Sequence, residues 1–154
     1  VNSTHKRNPP LGGFFMPGEN MKKEDFYTLP KANAGIELPL KLANGEETGE
    51  WLRIRGAESD AFRAAKFQAA RAIRDLPENM DEFERAEAVD SIMRDTVVSL
   101  VAGWSFEEEC TPESVREFLT NAPHVAVDID QIAADKTRFF ENASSSSKRT
   151  RKRK

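Results

Sequence analysis

Four consecutive residues, Glu107-Glu108-Glu109-Cys110, form the densest run of ligating and nucleophilic side chains in the sequence. Carboxylates beside a thiol suggest a cation site or an activated nucleophile, and both need convergence. Metal ligands must be spaced so that their donor atoms meet at one point, whereas three successive glutamates point in different directions. A thiol must lose its proton to attack, and no histidine lies near Cys110 in sequence to take it. His124, next to Pro123 at a predicted helix start, has no partner at metal-ligand spacing. Asp128, Asp130 and Asp135 fall with Lys136 and Arg138 on one predicted helix, where they read as a charged outer face. Glycine-rich phosphate loops, nucleotide fingerprints, HExxH and GxSxG do not occur. The acidic run is therefore read as a solvated loop, and the chain as a non-enzyme without metal or cofactor.

The second chemistry on offer is electrostatic. Lys148, Arg149, Arg151, Lys152, Arg153 and Lys154 place six of the 23 basic residues in the last seven positions. The remainder sets 17 basic side chains against all 26 acidic ones, an acidic body with a basic tail. Such a tail attracts phosphates nonspecifically and with strong salt dependence. No aromatics interleave with these cations to stack bases, so nucleic acid is not the expected partner. A tail attracted to its own acidic body is the simpler reading.

The elements that must position these groups follow from periodicity. Residues 1–30 read as a flexible arm, punctuated by Asn8-Pro9-Pro10, Leu11-Gly12-Gly13 and Pro17-Gly18. Met21 has the surroundings of an ordinary start, behind a Gly18-Glu19 pair whose codons can spell a ribosome-binding purine run, so two readings stand side by side: a natural start at Met21, or a translated flexible arm from Val1. From Ile36 to Arg55 the period is two. Ile36, Leu38, Leu40 and Leu42 alternate with Glu37, Pro39 and Lys41, and Asn44-Gly45 and Gly49 turn the chain into a return strand with Trp51. Pro39 confines the first strand to an edge or to one-sided pairing. A lone hairpin is marginal in water, so it must pack on helices or add to strands of another subunit. Leu38, Leu40 and Trp51 are the candidate self-association residues on that account, with a homo-oligomer expected.

Helical spacing begins at Ser59-Asp60, with Phe62, Ala65, Ala69, Ile73 and Leu76 on one face and Leu76-Pro77 as the stop. A second helix is predicted from about Asp81 to about Ala102, striped by Phe83, Ala86, Val89, Met93, Val97 and Leu100, and read as the central core helix. Gly103 ends it, with Trp104 and Phe106 folding back. Thr111-Pro112-Glu113 starts a short helix with threonine as cap, proline in the first turn and an acid behind it. Val115, Phe118 and Leu119 form its apolar face. Pro123 opens a last helix reaching Phe139-Phe140, followed by the Ser144–Ser147 tether. The expected fold is α+β, mainly α: an N-terminal β-hairpin followed by a compact bundle of about four helices over 31–141. Disordered tails flank it, the arm at 1–30 and the tether with its basic run at 142–154.

Composition sets outer bounds. Hydrophobic residues at 38% and charged residues at 32% suit the polar end of the soluble globular range. No apolar run approaches the roughly 20 residues that cross a bilayer, and Leu11 to Met16 is too short and glycine-rich for a secretory segment. A single cysteine excludes an internal disulfide and fits a reducing cytoplasm.

Several pieces occur in a telling order. Gly49-Glu50-Trp51-Leu52-Arg53-Ile54-Arg55-Gly56 leads into Ser59-Asp60-Ala61-Phe62, then come Leu100-Val101-Ala102-Gly103-Trp104, Thr111-Pro112-Glu113 and Arg138-Phe139-Phe140. Over about two thirds of the chain this resembles the tail assembly chaperones of long-tailed bacteriophages. The resemblance implies a protein of the infected host's cytoplasm, made during assembly and absent from the finished virion. Such chaperones bind the apolar-rich tape measure protein, keep it soluble and help recruit major tail protein subunits. Many occur in two forms, the longer made by programmed ribosomal frameshifting, and this chain would be the short form. The family has no catalytic residues to transfer. Large aromatics dominate contact energies, so Trp104, Phe106, Phe118, Phe139 and Phe140 are the candidate client-binding residues. Two other classes compete: a virion head–tail connector or tail terminator, and a nucleic-acid-binding regulator that uses the basic tail.

Overall fold

The structure, a computed structural model, describes residues 20–145, with side chains as far as Phe140. The basic-tail residues and most of the expected arm lie outside the described residues. A 3-10 turn, Lys23–Phe26, is followed by helix α1, Leu29–Ala34. Strands β1, Ile36–Lys41, and β2, Glu47–Ile54, form the expected hairpin. Helices α2, Asp60–Arg74, and α3, Glu82–Val98, lead to strand β3, Val101–Trp104. Helices α4, Pro112–Asn121, α5, Pro123–Ala134, and α6, Lys136–Ser145, complete the chain. The fold is α+β and mainly helical.

Two boundaries differ from expectation. The second long helix stops at Val98, and Val101–Trp104 is a strand that pairs antiparallel with β2, giving sheet order β1-β2-β3. Val97, Val98 and Val101 are β-branched and Gly103 is a poor helix residue, so local helical preference fades there. Meanwhile β2 has a second row of backbone donors and acceptors that must be paired once buried. β3 supplies the partners, and the pairing is extended just beyond both strands by the Leu100 carbonyl, which accepts from Arg55 N–H at 2.7 Å. The final predicted helix is likewise two. Asp135 adopts extended backbone after α5, and its carboxylate accepts from Thr137 N–H at 3.1 Å, capping the start of α6.

One face of the sheet carries the core. Leu40, Leu52 and Ile54 meet Val98, Leu100 and Val101, closed over by Val115 and Leu119 of α4 and by Val125, Ile129 and Ala133 of α5. Leu52, Ile54, Leu100, Leu119 and Ile129 are fully buried. Gly35 ends α1 with φ +77°, and a Cβ there would lie 2.7 Å from the Ile54 carbonyl oxygen, so the α1–β1 junction requires glycine. Asn33 of α1 also grips the start of α2, accepting from Asp60 N–H at 2.8 Å and donating to its carboxylate at 2.9 Å.

The α2–α3 hairpin departs furthest from the expected compact bundle. Between Asp60 and Asp95 only Ala69 is buried. The predicted face of α2, Phe62, Ala65, Ala69, Ile73 and Leu76, does turn inward, toward α3. Of the predicted α3 stripe, Phe83 is 70% and Met93 49% exposed, and Ala86 is also exposed. The reading of α3 as the central core helix is therefore corrected: it enters the core only through its last turn, at Val97 and Val98. Ile92 and Thr96 face α2 instead. Since α2 packs mainly on α3, the pair forms an arm whose base alone joins the core. Arg116 of α4 steadies that base through Asp95, Nε to carboxylate 2.7 Å.

Candidate functional site

Three of the five candidate client-binding aromatics come together. Trp104 pairs with Leu52 across β2–β3 and so shares its helix-side face. Phe106 follows in the loop, and Phe118 reaches them from α4. Ring centroids lie 5.2 Å apart for Trp104–Phe106, 6.1 Å for Trp104–Phe118 and 5.5 Å for Phe106–Phe118, all edge to face. That geometry sets the positive ring edge against the negative face of its neighbour. The indole N–H donates to the Glu108 carbonyl at 2.6 Å, which folds the acidic loop over the cluster. All three rings are half-buried and pack against the core, so the cluster is a corner of the core with one side open.

Phe139 and Phe140 lie elsewhere. Phe139 is 5% exposed, against Gly56 and Ala32, where a Cβ on Gly56 would come 3.3 Å from the Phe139 ring. It is a core residue and presents no surface to a partner. Phe140 is half-buried with the Lys31 ammonium 4.0 Å above its ring. The five aromatics therefore do not line one groove.

The self-association candidates are also separated. Leu40 is buried and Leu38 half-buried on the helix side of β1, so their side chains are spent within the domain. Trp51 projects from the opposite face, beside Pro39. β1 is an outer strand, but its register shifts between Pro39 and Lys41. A proline and a bulge are both devices that discourage pairing along a free edge.

The residues of possible chemistry stay apart. Glu107, Glu108 and Glu109 are exposed, and among the described residues no group of three or more His, Cys, Asp or Glu is placed to hold a metal ion. Burial pushes the Cys110 thiol above its ordinary value, only partly opposed by Arg55, so thiolate is scarce at neutral pH. His124, Asp128 and Asp130 are exposed on α5. No helix among the described residues is long and apolar enough to cross a membrane.

The surface that sequence reasoning missed is the arm. Phe67 is 68% exposed on α2, and with Phe83 and Met93 it makes three large apolar side chains on one hairpin without cover. Between the helices runs a shallow cleft floored by Ala65, Ala69 and Ala72 with Ile92 and Thr96. The signal for Phe67 was present in the sequence: a phenylalanine off the apolar stripe, among Arg63, Arg71 and Arg74. Phe83 and Met93 gave no such signal, because they fall on a stripe that periodicity alone assigns to a core.

No protein family, curated protein or solved structure matches this chain.

Proposed function

We propose that this chain is a tail assembly chaperone that binds the tape measure protein and keeps it soluble while major tail protein subunits are recruited. The single observation that carries the reading is the arm: Phe67, Phe83 and Met93 stand exposed on two helices held off the core. A soluble domain that leaves such side chains uncovered is presenting them to something. The client's exposed feature is an amphipathic helix, and a helix lies against a two-helix groove by inserting apolar residues at helical spacing. The alanine floor of the α2–α3 cleft permits close approach, and Phe67 and Phe83 stand on the outer sides of the two helices, where a client that wraps the arm meets them. The acidic balance of the body favours a basic client face. The sequence resemblance supports the same reading, with the protein acting in the host cytoplasm and leaving before the virion is complete.

Co-expression with the tape measure protein encoded beside it tests the proposal. The client becomes soluble and co-purifies with the chain, and the Phe67→Ser/Phe83→Ser/Met93→Ser variant captures it roughly tenfold less well. A client that stays insoluble and unbound, while the chain appears in purified particles at fixed stoichiometry, overturns it in favour of a connector or terminator.

A further inference from the structure

The open side of the aromatic corner is bordered by carboxylates. The Trp104 indole holds the Glu108 carbonyl, and Ser114 Oγ donates to the Glu109 carbonyl at 2.9 Å. The acidic loop is thereby pinned between the rings and the first turn of α4. Phe118 lies one turn beyond Ser114, and Glu113 and Glu117 stand one turn apart on the exposed side of the same helix. Glu107, Glu108, Glu109, Glu113 and Glu117 are all exposed, and among the described residues none of them makes an ion pair. The cations beside this surface are engaged elsewhere. Arg116 holds Asp95 at 2.7 Å, and Arg55 donates to the carbonyls of Ser99 and Val101 at 3.0 and 3.3 Å. What remains is a patch of half-buried rings rimmed by uncompensated negative charge. Lysine and arginine fit such a patch, since the charged ends meet carboxylates while the aliphatic stems lie on the rings. The chain makes one contact of this kind already, where the Lys31 ammonium sits 4.0 Å above the Phe140 ring.

We propose that the chain's own basic segment, residues 148–154, docks in cis on this corner. It brings six cations to five unpaired carboxylates. Reach is sufficient: α6 packs on α1 and β1, and β1 lies two strands, or about 10 Å, from β3. The residues that follow Ser145 span up to about 30 Å when extended. A short tether gives an effective concentration in the millimolar range, enough to populate exposed charge pairs too weak to join separate molecules. Docking covers the rings against chance apolar partners and keeps the six cations from gathering phosphates. The inference rests on the aromatic corner and not on the arm, so it stands apart from the chaperone reading.

Amide NMR tests it by comparing the full chain with a full-length variant whose six tail cations are neutral: Lys148→Gln, Arg149→Gln, Arg151→Gln, Lys152→Gln, Arg153→Gln and Lys154→Gln. Resonances between Trp104 and Phe118, the Trp104 indole among them, are expected to differ between the two. The difference should shrink at least twofold as salt rises from about 0.05 to about 0.5 M, and should not change with protein concentration. In a Glu107→Gln/Glu108→Gln/Glu109→Gln background the same comparison should give a difference about twofold smaller or less. If that background fails to fold, Glu113→Gln/Glu117→Gln on the exposed side of α4 is expected to act in its place. No difference at all, or one that maps to Asp128 and Asp130 on α5, overturns the proposal. So does a difference that grows with protein concentration, which puts the segment on another copy.

Discussion

Pro39 sits opposite Trp51 in the β1–β2 register, and Trp51 turns its backbone away from it. The Trp51 N–H donates to Ser105 Oγ at 2.8 Å, and the Trp51 carbonyl accepts from Ser105 N–H at 3.0 Å. In an antiparallel ladder this makes Pro39–Trp51 a non-hydrogen-bonded pair, so the ring nitrogen of Pro39 faces the free edge. The proline costs the hairpin no hydrogen bond and removes one donor from the edge. Pro39→Val is therefore expected to change stability by less than about 1 kcal/mol while restoring an edge N–H. A thermal melt should barely move, and light scattering on prolonged incubation should rise faster than for the wild type.

Two glycines with positive φ should respond differently to alanine. Gly45 has φ +90° in the hairpin turn with open space where a Cβ would sit, so Gly45→Ala should cost about 1–2 kcal/mol. Gly35 has φ +77° and ψ 173° and the Ile54 carbonyl 2.7 Å from the added carbon. That conformation is almost confined to glycine, and Gly35→Ala should cost roughly 2–3 kcal/mol or more. Urea denaturation of the two variants measures the difference.

The aromatic corner should behave as a coupled unit. Phe118→Ala removes edge-to-face contacts with both Trp104 and Phe106 and opens a partly buried site, at an expected cost of about 2–3 kcal/mol. A double-mutant cycle of Phe118→Ala with Phe106→Ala should return a coupling of about 0.5–1.5 kcal/mol. Additive effects would mean that the rings merely adjoin.

Glu58 fastens the α1 end of the domain to α6. Its carboxylate accepts from the Lys136 ammonium at 2.6 Å and from the Thr28 hydroxyl at 2.7 Å, and these bonds hold it below its ordinary value of 4.5. A carboxylate depressed by folding contributes stability that is present above its unfolded value and lost as pH falls through the folded one. This fastening should hold at neutral pH, begin to weaken below about 4.5, and vanish once Glu58 is protonated in the folded protein. Glu58→Gln should flatten that part of the pH–stability curve, read by urea denaturation across the acid range.

Legibility in the sequence depended on whether a local signal agreed with the packing. Thr111-Pro112-Glu113 specified the start of α4 because cap, proline and acid all act within one turn, and Thr111 Oγ1 accepts from Ser114 N–H at 3.2 Å as a cap should. Ile36, Leu40, Leu52 and Ile54 were readable because a half-buried strand repeats every second residue. Val101–Trp104 was not, since an apolar run after a helix reads as more helix until the unpaired edge of β2 is known. Phe83 and Met93 differ for the opposite reason: their periodicity is genuine, but nothing among the described residues covers that part of the stripe. For the proposed site, the charged frame of Phe67 was visible and its lack of cover was not.

The thin burial of the α2–α3 arm separates the molecule into two tiers of protection. With Ala69 its only buried residue between Asp60 and Asp95, the arm holds little apolar area against local opening. The sheet and its cover, around Leu52, Ile54 and Ile129, open only when the whole domain does. Amide hydrogens of the arm should therefore exchange with deuterium through a low-energy opening that leaves the sheet amides protected. Native-state exchange would show a domain able to loosen its working surface while its scaffold stays shut.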